Sequence, residues 1–196
     1  MFKQLSKLDT PQKIQNFLNK LQFNFEKKEE TYMSPMLALE AGTAHCFEGA
    51  LIAALALEMQ GHKPLLLDLK TTKEKDIDHV VALFKLDGYW GAISKTNHAV
   101  LRYREPIYKT VRELAMSYFH EYFLNNGEKT LRSYSKPFDL SKIKFDWRRS
   151  EKNLFKLVET LDQSPHIQIL NKKQIRNLRP ADKIEIQAGK IVEYKK

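Results

Sequence analysis

Apolar positions run without a polar break from Gly49 to Leu57. Such a run is too uniform for one stripe of a surface helix, and it predicts a buried central helix. The turn-like stretch Gly42-Thr43-Ala44-His45 leads into it, and Gly61 sits where a helix-terminating glycine belongs. Elsewhere the pattern is amphipathic or alternating. Thr10-Pro11 is a helix start, followed by Ile14, Phe17, Leu18 and Leu21 at helical spacing. The charged stretch 26–30 reads as a surface connection, and Ser34-Pro35 opens a short helix over 36–40. Leu65–Leu69 and His79–Leu86 read as strands, with the polar stretch 71–78 as the loop between them. Asp87-Gly88 is a two-residue hairpin turn that returns the chain through Tyr89–Ser94. Beyond Pro106, residues 111–123 predict an amphipathic helix and 131–140 an irregular segment. Residues 150–161 predict a further helix and 184–194 a small hairpin.

The candidate chemistry begins at Cys46, the single cysteine of the chain. It stands at the predicted start of the apolar helix, where unpaired N–H groups and the helix dipole favour a thiolate. A lone buried cysteine can equally act as a small hydrophobe. A thiol nucleophile needs a base, and His79, opening a strand, is the leading candidate. The two-residue turn pairs Leu86 with Tyr89, which sets His79 opposite Thr96 with Ser94 as its diagonal neighbour. Ser94 is therefore a candidate to orient the imidazole. Asn97 reaches that face only across a twist or bulge. His45, which reads as a surface loop residue, and Trp90, Arg102 and Arg104 are candidates to rim a substrate cleft. Glu48 falls in the first helical turn, where a carboxylate suits the dipole. Asp68 is expected to pair with a Lys or Arg.

Three stretches, Ala44-His45-Cys46-Phe47-Glu48-Gly49, Asp78-His79-Val80-Val81 and Tyr89-Trp90-Gly91, together resemble the transglutaminase-like superfamily, which has a papain-like fold and a Cys-His-Asp triad. The resemblance spans roughly residues 34–100. It implies an α+β fold in which a Cys-bearing helix packs on an antiparallel sheet, with Cys46 and His79 as catalytic pair. The family's Asp has no counterpart after Trp90: the segment reads Gly91-Ala92-Ile93-Ser94-Lys95-Thr96-Asn97. The third member is then Ser94, Asn97 or nothing. The implied activity is thiol-dependent chemistry on an amide or ester, as a peptidase, amidase or acyltransferase. Its substrate would be a peptide, a protein or a small amide or ester, and no cofactor is needed.

With 196 residues, the chain suffices for one domain with a real core, or for a core over 1–124 with a basic extension or small subdomain over 125–196. The net charge of +9 lies mostly in that second part, where 17 Lys/Arg face 9 Asp/Glu. A solvated lysine-rich face is the favoured reading, and a nucleic-acid or anionic-surface binder the alternative. A catalytically silent binding protein on the same fold is another. No Cys-x-x-Cys or His-x-x-x-His pairing points to a metal site. The absence of a signal-like leader or membrane-length apolar run leads to the expectation of a cytoplasmic protein with no membrane partner.

Overall fold

A computed structural model describes residues 2–26, 29–72 and 75–195. In chain order its principal elements are α1 (Pro11–Lys20), β1 (Gln22–Phe23), α2 (Pro35–Ala41), β2 (Thr43–Ala44), α3 (Cys46–Met59), β3 (Leu65–Lys70), β4 (His79–Leu86), β5 (Tyr89–Ile93), β6 (Arg104–Tyr108), α4 (Val111–Ser117), β7 (Ser133–Ser135), β8 (Phe138–Asp139), α5 (Phe155–Asp162), β9 (His166–Gln168), α6 (Lys172–Arg176) and α7 (Lys183–Gly189). The class is α+β. Seven strands form an antiparallel sheet in the order β6-β5-β4-β3-β7-β9, and β8 pairs the other half of β3.

The sheet is covered on both faces, which is why β3 and β4 are apolar almost throughout rather than alternating. Leu66, Val80, Ala82, Phe84 and Ile93 pack against α1, α2, α3 and α5 on one side. Leu67, Leu69, Val81, Leu83 and Ala92 pack on the other side against Leu114, Tyr118, Tyr122 and Tyr134. Helix α3 is buried continuously from Phe47 to Leu57, as its unbroken apolar run requires. Segments beyond residue 124 enter both layers. β7 and β8 complete the sheet, and Trp147, Leu154, Leu157 and Leu161 join the α3 side.

The hairpin forms at the expected register, with Leu86 opposite Tyr89 and Ala82 opposite Ile93. Asp87 and Gly88 both have positive φ, the conformation this tight turn demands. Four expectations change. The helix expected over 111–123 stops at Ser117, because Tyr118 and a 3-10 turn (Phe119–Glu121) bend the chain over the sheet. The segment 131–140 is not irregular, since it supplies β7 and β8 on either side of Pro137. The helix expected over 150–161 begins only at Phe155. The hairpin expected over 184–194 is instead α7, capped through a box of Asp182 and Glu185, followed by an extended strap. The expected connections 26–30 and 71–78 each contain residues outside those described.

Among the described residues no helix is long and apolar enough to cross a membrane. Lys172, Lys173 and Arg176 lie on or beside the short α6, and Arg179 is paired with Asp182 and Glu185.

Candidate functional site

The start of α3 is built around a buried carboxylate. His45 is the N-cap, and its Nδ1 accepts the Phe47 N–H at 3.3 Å. Glu48 is fully buried and accepts the His45 N–H at 3.0 Å, completing a capping box. The same carboxylate accepts the Met33 N–H at 3.0 Å, the Thr31 hydroxyl at 3.1 Å and the Asn24 amide at 3.1 Å. One side chain thereby fixes the helix start and ties down the chain that passes over it. His45 is buried, not at the surface as its loop setting suggested: its Nε2 meets the Thr31 carbonyl at 2.8 Å. Burial works against charging this ring, while Cys46 and Glu48 pull its pKa upward. Only an unprotonated Nδ1 can accept the Phe47 N–H, so this ring gives up the cap bond when it charges beside a Cys46 thiolate.

Cys46 is the first residue of α3 and is partly exposed. Burial pushes its thiol up, but hydrogen bonding and charge from His45 and His79 prevail and hold it well below the usual thiol range. His79 opens β4, directly across from Leu69. Its Nε2 lies 2.8 Å from the Ser94 hydroxyl oxygen. That hydroxyl has one proton and gives it to the Leu101 carbonyl, 2.6 Å away. Ser94 is therefore the acceptor toward His79, which assigns the ring hydrogen to Nε2 and leaves Nδ1 unprotonated in the neutral ring.

Ser94 is in turn immobilised. Gln15 of α1 donates to the Ser94 carbonyl at 2.8 Å and accepts its N–H at 3.0 Å. Leu101 holds a φ of +61°, a left-handed backbone that costs a leucine about 1–3 kcal/mol and must be imposed by its surroundings. Gly49 permits the approach of the neighbouring strand exit. A Cβ there would lie 2.4 Å from the Lys95 Cβ.

Cys46 and His79 line one cavity of about 490 Å³, with Lys95, Asn97, Tyr122 and Lys190 among its walls. The Tyr122 hydroxyl is buried without a hydrogen-bond partner. Burial first, then the negative charge of Cys46, keeps it a neutral phenol.

The structure brings together Cys46, His79 and Ser94. Asn97 does not orient His79. Its amide donates to the Tyr194 carbonyl at 2.9 Å and accepts the Tyr194 N–H at 2.8 Å, binding the strap that runs beside residues 97–99. Trp90, Arg102 and Arg104 lie off the cavity. Trp90 is on the hairpin, opposite Tyr108 with Lys85 over its ring. Arg102 donates to the His98 carbonyl and pairs with Glu193. Arg104 stacks on Tyr118 and pairs with Glu121 at 2.7 Å. Asp68 pairs with His166 at 3.1 Å rather than with a Lys or Arg. Oxygens of Asp68, Asp78 and Asp162 lie within 4.8 Å of one another, but each carboxylate has protein partners in His166, Thr71 and Lys70.

Gln15 and the Leu101 carbonyl were missed by sequence reasoning. Gln15 reads only as a polar position on α1, and a main-chain carbonyl leaves no residue signature. No family model matches the chain, and no curated protein matches it.

Proposed function

We propose that this protein is a thiol-dependent acyl enzyme of the transglutaminase-like, papain-like kind, acting on the amide or ester of a peptide, a protein or a small molecule in the cytoplasm. The observation that carries this reading is the shared cavity of Cys46 and His79, with the His79 hydrogen committed to Ser94 and Nδ1 left as the base.

In this scheme the Cys46 sulfur attacks the carbonyl carbon. A C–S bond forms and the C=O π pair moves to oxygen. In the same scheme the Cys46 main-chain N–H, one of those the helix itself cannot bond, donates to that oxyanion. Collapse expels the amine or alcohol, which takes its proton from the His79 imidazolium and leaves a thioester on Cys46. Water or an amine then attacks the thioester while His79 accepts its proton, and the sulfur departs as thiolate. Ser94 supports the imidazolium as a neutral acceptor, so the pair is weaker than one backed by a carboxylate.

The test is the rate of Cys46 alkylation by iodoacetamide against pH. The expected midpoint lies well below the ordinary thiol value of about 8.5, and His79→Asn moves it upward. A midpoint at or above the ordinary value in the wild-type protein overturns the proposal and leaves a silent binding protein as the reading.

A further inference from the structure

The missing triad acid leaves open what holds Ser94 in place for His79. The Ser94 hydroxyl is useful only while its proton is drawn away to the Leu101 carbonyl, since otherwise it can rotate and stop accepting from His79. The Leu101 carbonyl is aimed by a backbone conformation that leucine avoids. Something must pay for that conformation locally. The Leu101 N–H donates to the Glu121 carboxylate at 2.6 Å, a charge-assisted bond. The same carboxylate oxygen is held by Arg104 at 2.7 Å, and Arg104 also donates to the Ser117 hydroxyl at 2.9 Å while stacking on Tyr118 at 4.0 Å. The line therefore runs from Arg104 to Glu121, through the two sides of Leu101, to Ser94 and the Nε2 of His79. Glu121 belongs to the 3-10 turn after α4, far in sequence from Cys46, and it lines the cavity wall.

We propose that Glu121 is a positioning residue for the Cys46–His79 pair, taking the structural place of the absent triad carboxylate by fixing Leu101 so that its carbonyl locks the Ser94 hydroxyl toward His79. This rests on the Cys–His reading above. The carboxylate acts by geometry, not by charge at the imidazole, because two main-chain groups of Leu101 and one hydroxyl stand between them. The ionisable groups facing the thiol are His45 and His79, and Asp76, Asp78, Lys95, His98, Glu121, Tyr122 and Lys190 line the same cavity.

Two substitutions separate geometry from charge. Glu121→Gln keeps an acceptor at full reach of the Leu101 N–H and loses the charge. Glu121→Asp keeps the charge and loses the reach. Alkylation by iodoacetamide is followed against pH in the full chain, with denaturant unfolding measured on the same samples. For Glu121→Asp the expected result is an upward-shifted midpoint and an alkylation rate near neutral pH lower by about three- to tenfold, the worth of one lost hydrogen bond. Glu121→Gln is expected to stay within about twofold of wild type, as one intact bond allows. Arg148→Ala serves as the structural control: it breaks the ion pair with Glu58 near the far end of α3, away from the cavity, and lowers stability yet leaves the midpoint in place. The proposal is overturned if the Asp variant keeps the wild-type profile. It is equally overturned if the Gln variant is as impaired as the Asp variant, since an acceptor at full reach of the Leu101 N–H would then not suffice. An ordinary midpoint in the wild type is a different failure, and it removes the Cys–His reading itself.

Discussion

Replacing Ser94 by alanine tests the orientation of His79 directly. Ser94 and His79 are only 2% and 5% exposed, so water cannot substitute for the lost hydroxyl. The variant strands two buried groups, the His79 Nε2–H and the Leu101 carbonyl. Each stranded group costs about 1–3 kcal/mol of fold stability. The site suffers a smaller and more specific loss. A hydrogen bond from a charged donor is roughly twice as strong as a neutral one, so the imidazolium loses about 1 kcal/mol more than the neutral ring does. At about 1.4 kcal/mol per pKa unit, the apparent midpoint of Cys46 alkylation rises by roughly 0.7 unit. The direction follows from the thiolate's dependence on that imidazolium: weakening the cation makes the thiol harder to ionise. Iodoacetamide alkylation between pH 5 and 9 reads the midpoint, and urea unfolding reads the stability. A folded Ser94→Ala protein with the wild-type midpoint would refute the assignment of Ser94 as the acceptor for His79.

Gly49→Ala places a methyl group 2.4 Å from the Lys95 Cβ, so the strand exit must move away from α3. The expected loss is about 1–3 kcal/mol in urea unfolding, together with slower alkylation as Ser94 shifts with its neighbour. Tyr122→Phe removes a buried hydroxyl that has no partner, and it should leave stability unchanged or raise it by up to about 1 kcal/mol; a clear loss would disclose a bond to that hydroxyl. Asp68→Asn should keep the alkylation profile, since Asp68 serves His166 and not His79. Its effect belongs to pH-dependent stability. Burial raises the Asp68 pKa above 3.8, and the bond to Asp68 raises that of His166 above 6.5. Both groups stabilise the fold below their ordinary values and stop doing so as pH climbs through the raised ones. Wild-type stability should thus decline from about pH 4 to beyond 6.5, and Asp68→Asn should flatten that slope in urea midpoints compared at pH 5 and 8.

The parts of this molecule that were readable in advance are those where local pattern and tertiary need agree. The α3 run, the Asp87-Gly88 turn and the Thr10-Pro11 start each act within a few residues, and the hairpin register carries His79 to Ser94 with no further information. The C-terminal third resisted because its elements are short and its strands join β3 across long stretches of chain. Three-residue β7 has no room for a periodic signal, and Ile184 and Ile186 alternate like a strand while Asp182 and Glu185 cap a helix. His45 looked exposed because its burial depends on Glu48 drawing Thr31 and Met33 over it. Asn97 was plausible as an orienter until the strap at Tyr194 claimed its amide.

The outermost strand β6 carries Pro106, which has no N–H to offer, and its pairing with β5 is broken by a register shift between Trp90 and Ala92. A neighbouring molecule seeking to extend the sheet there meets a bent and incomplete template that opens on the charged pair Arg104 and Glu105. Even with Ile107 exposed, that border is ill suited to seeding fibrils, so the sheet can grow across its β6 side only at the expense of unmade hydrogen bonds.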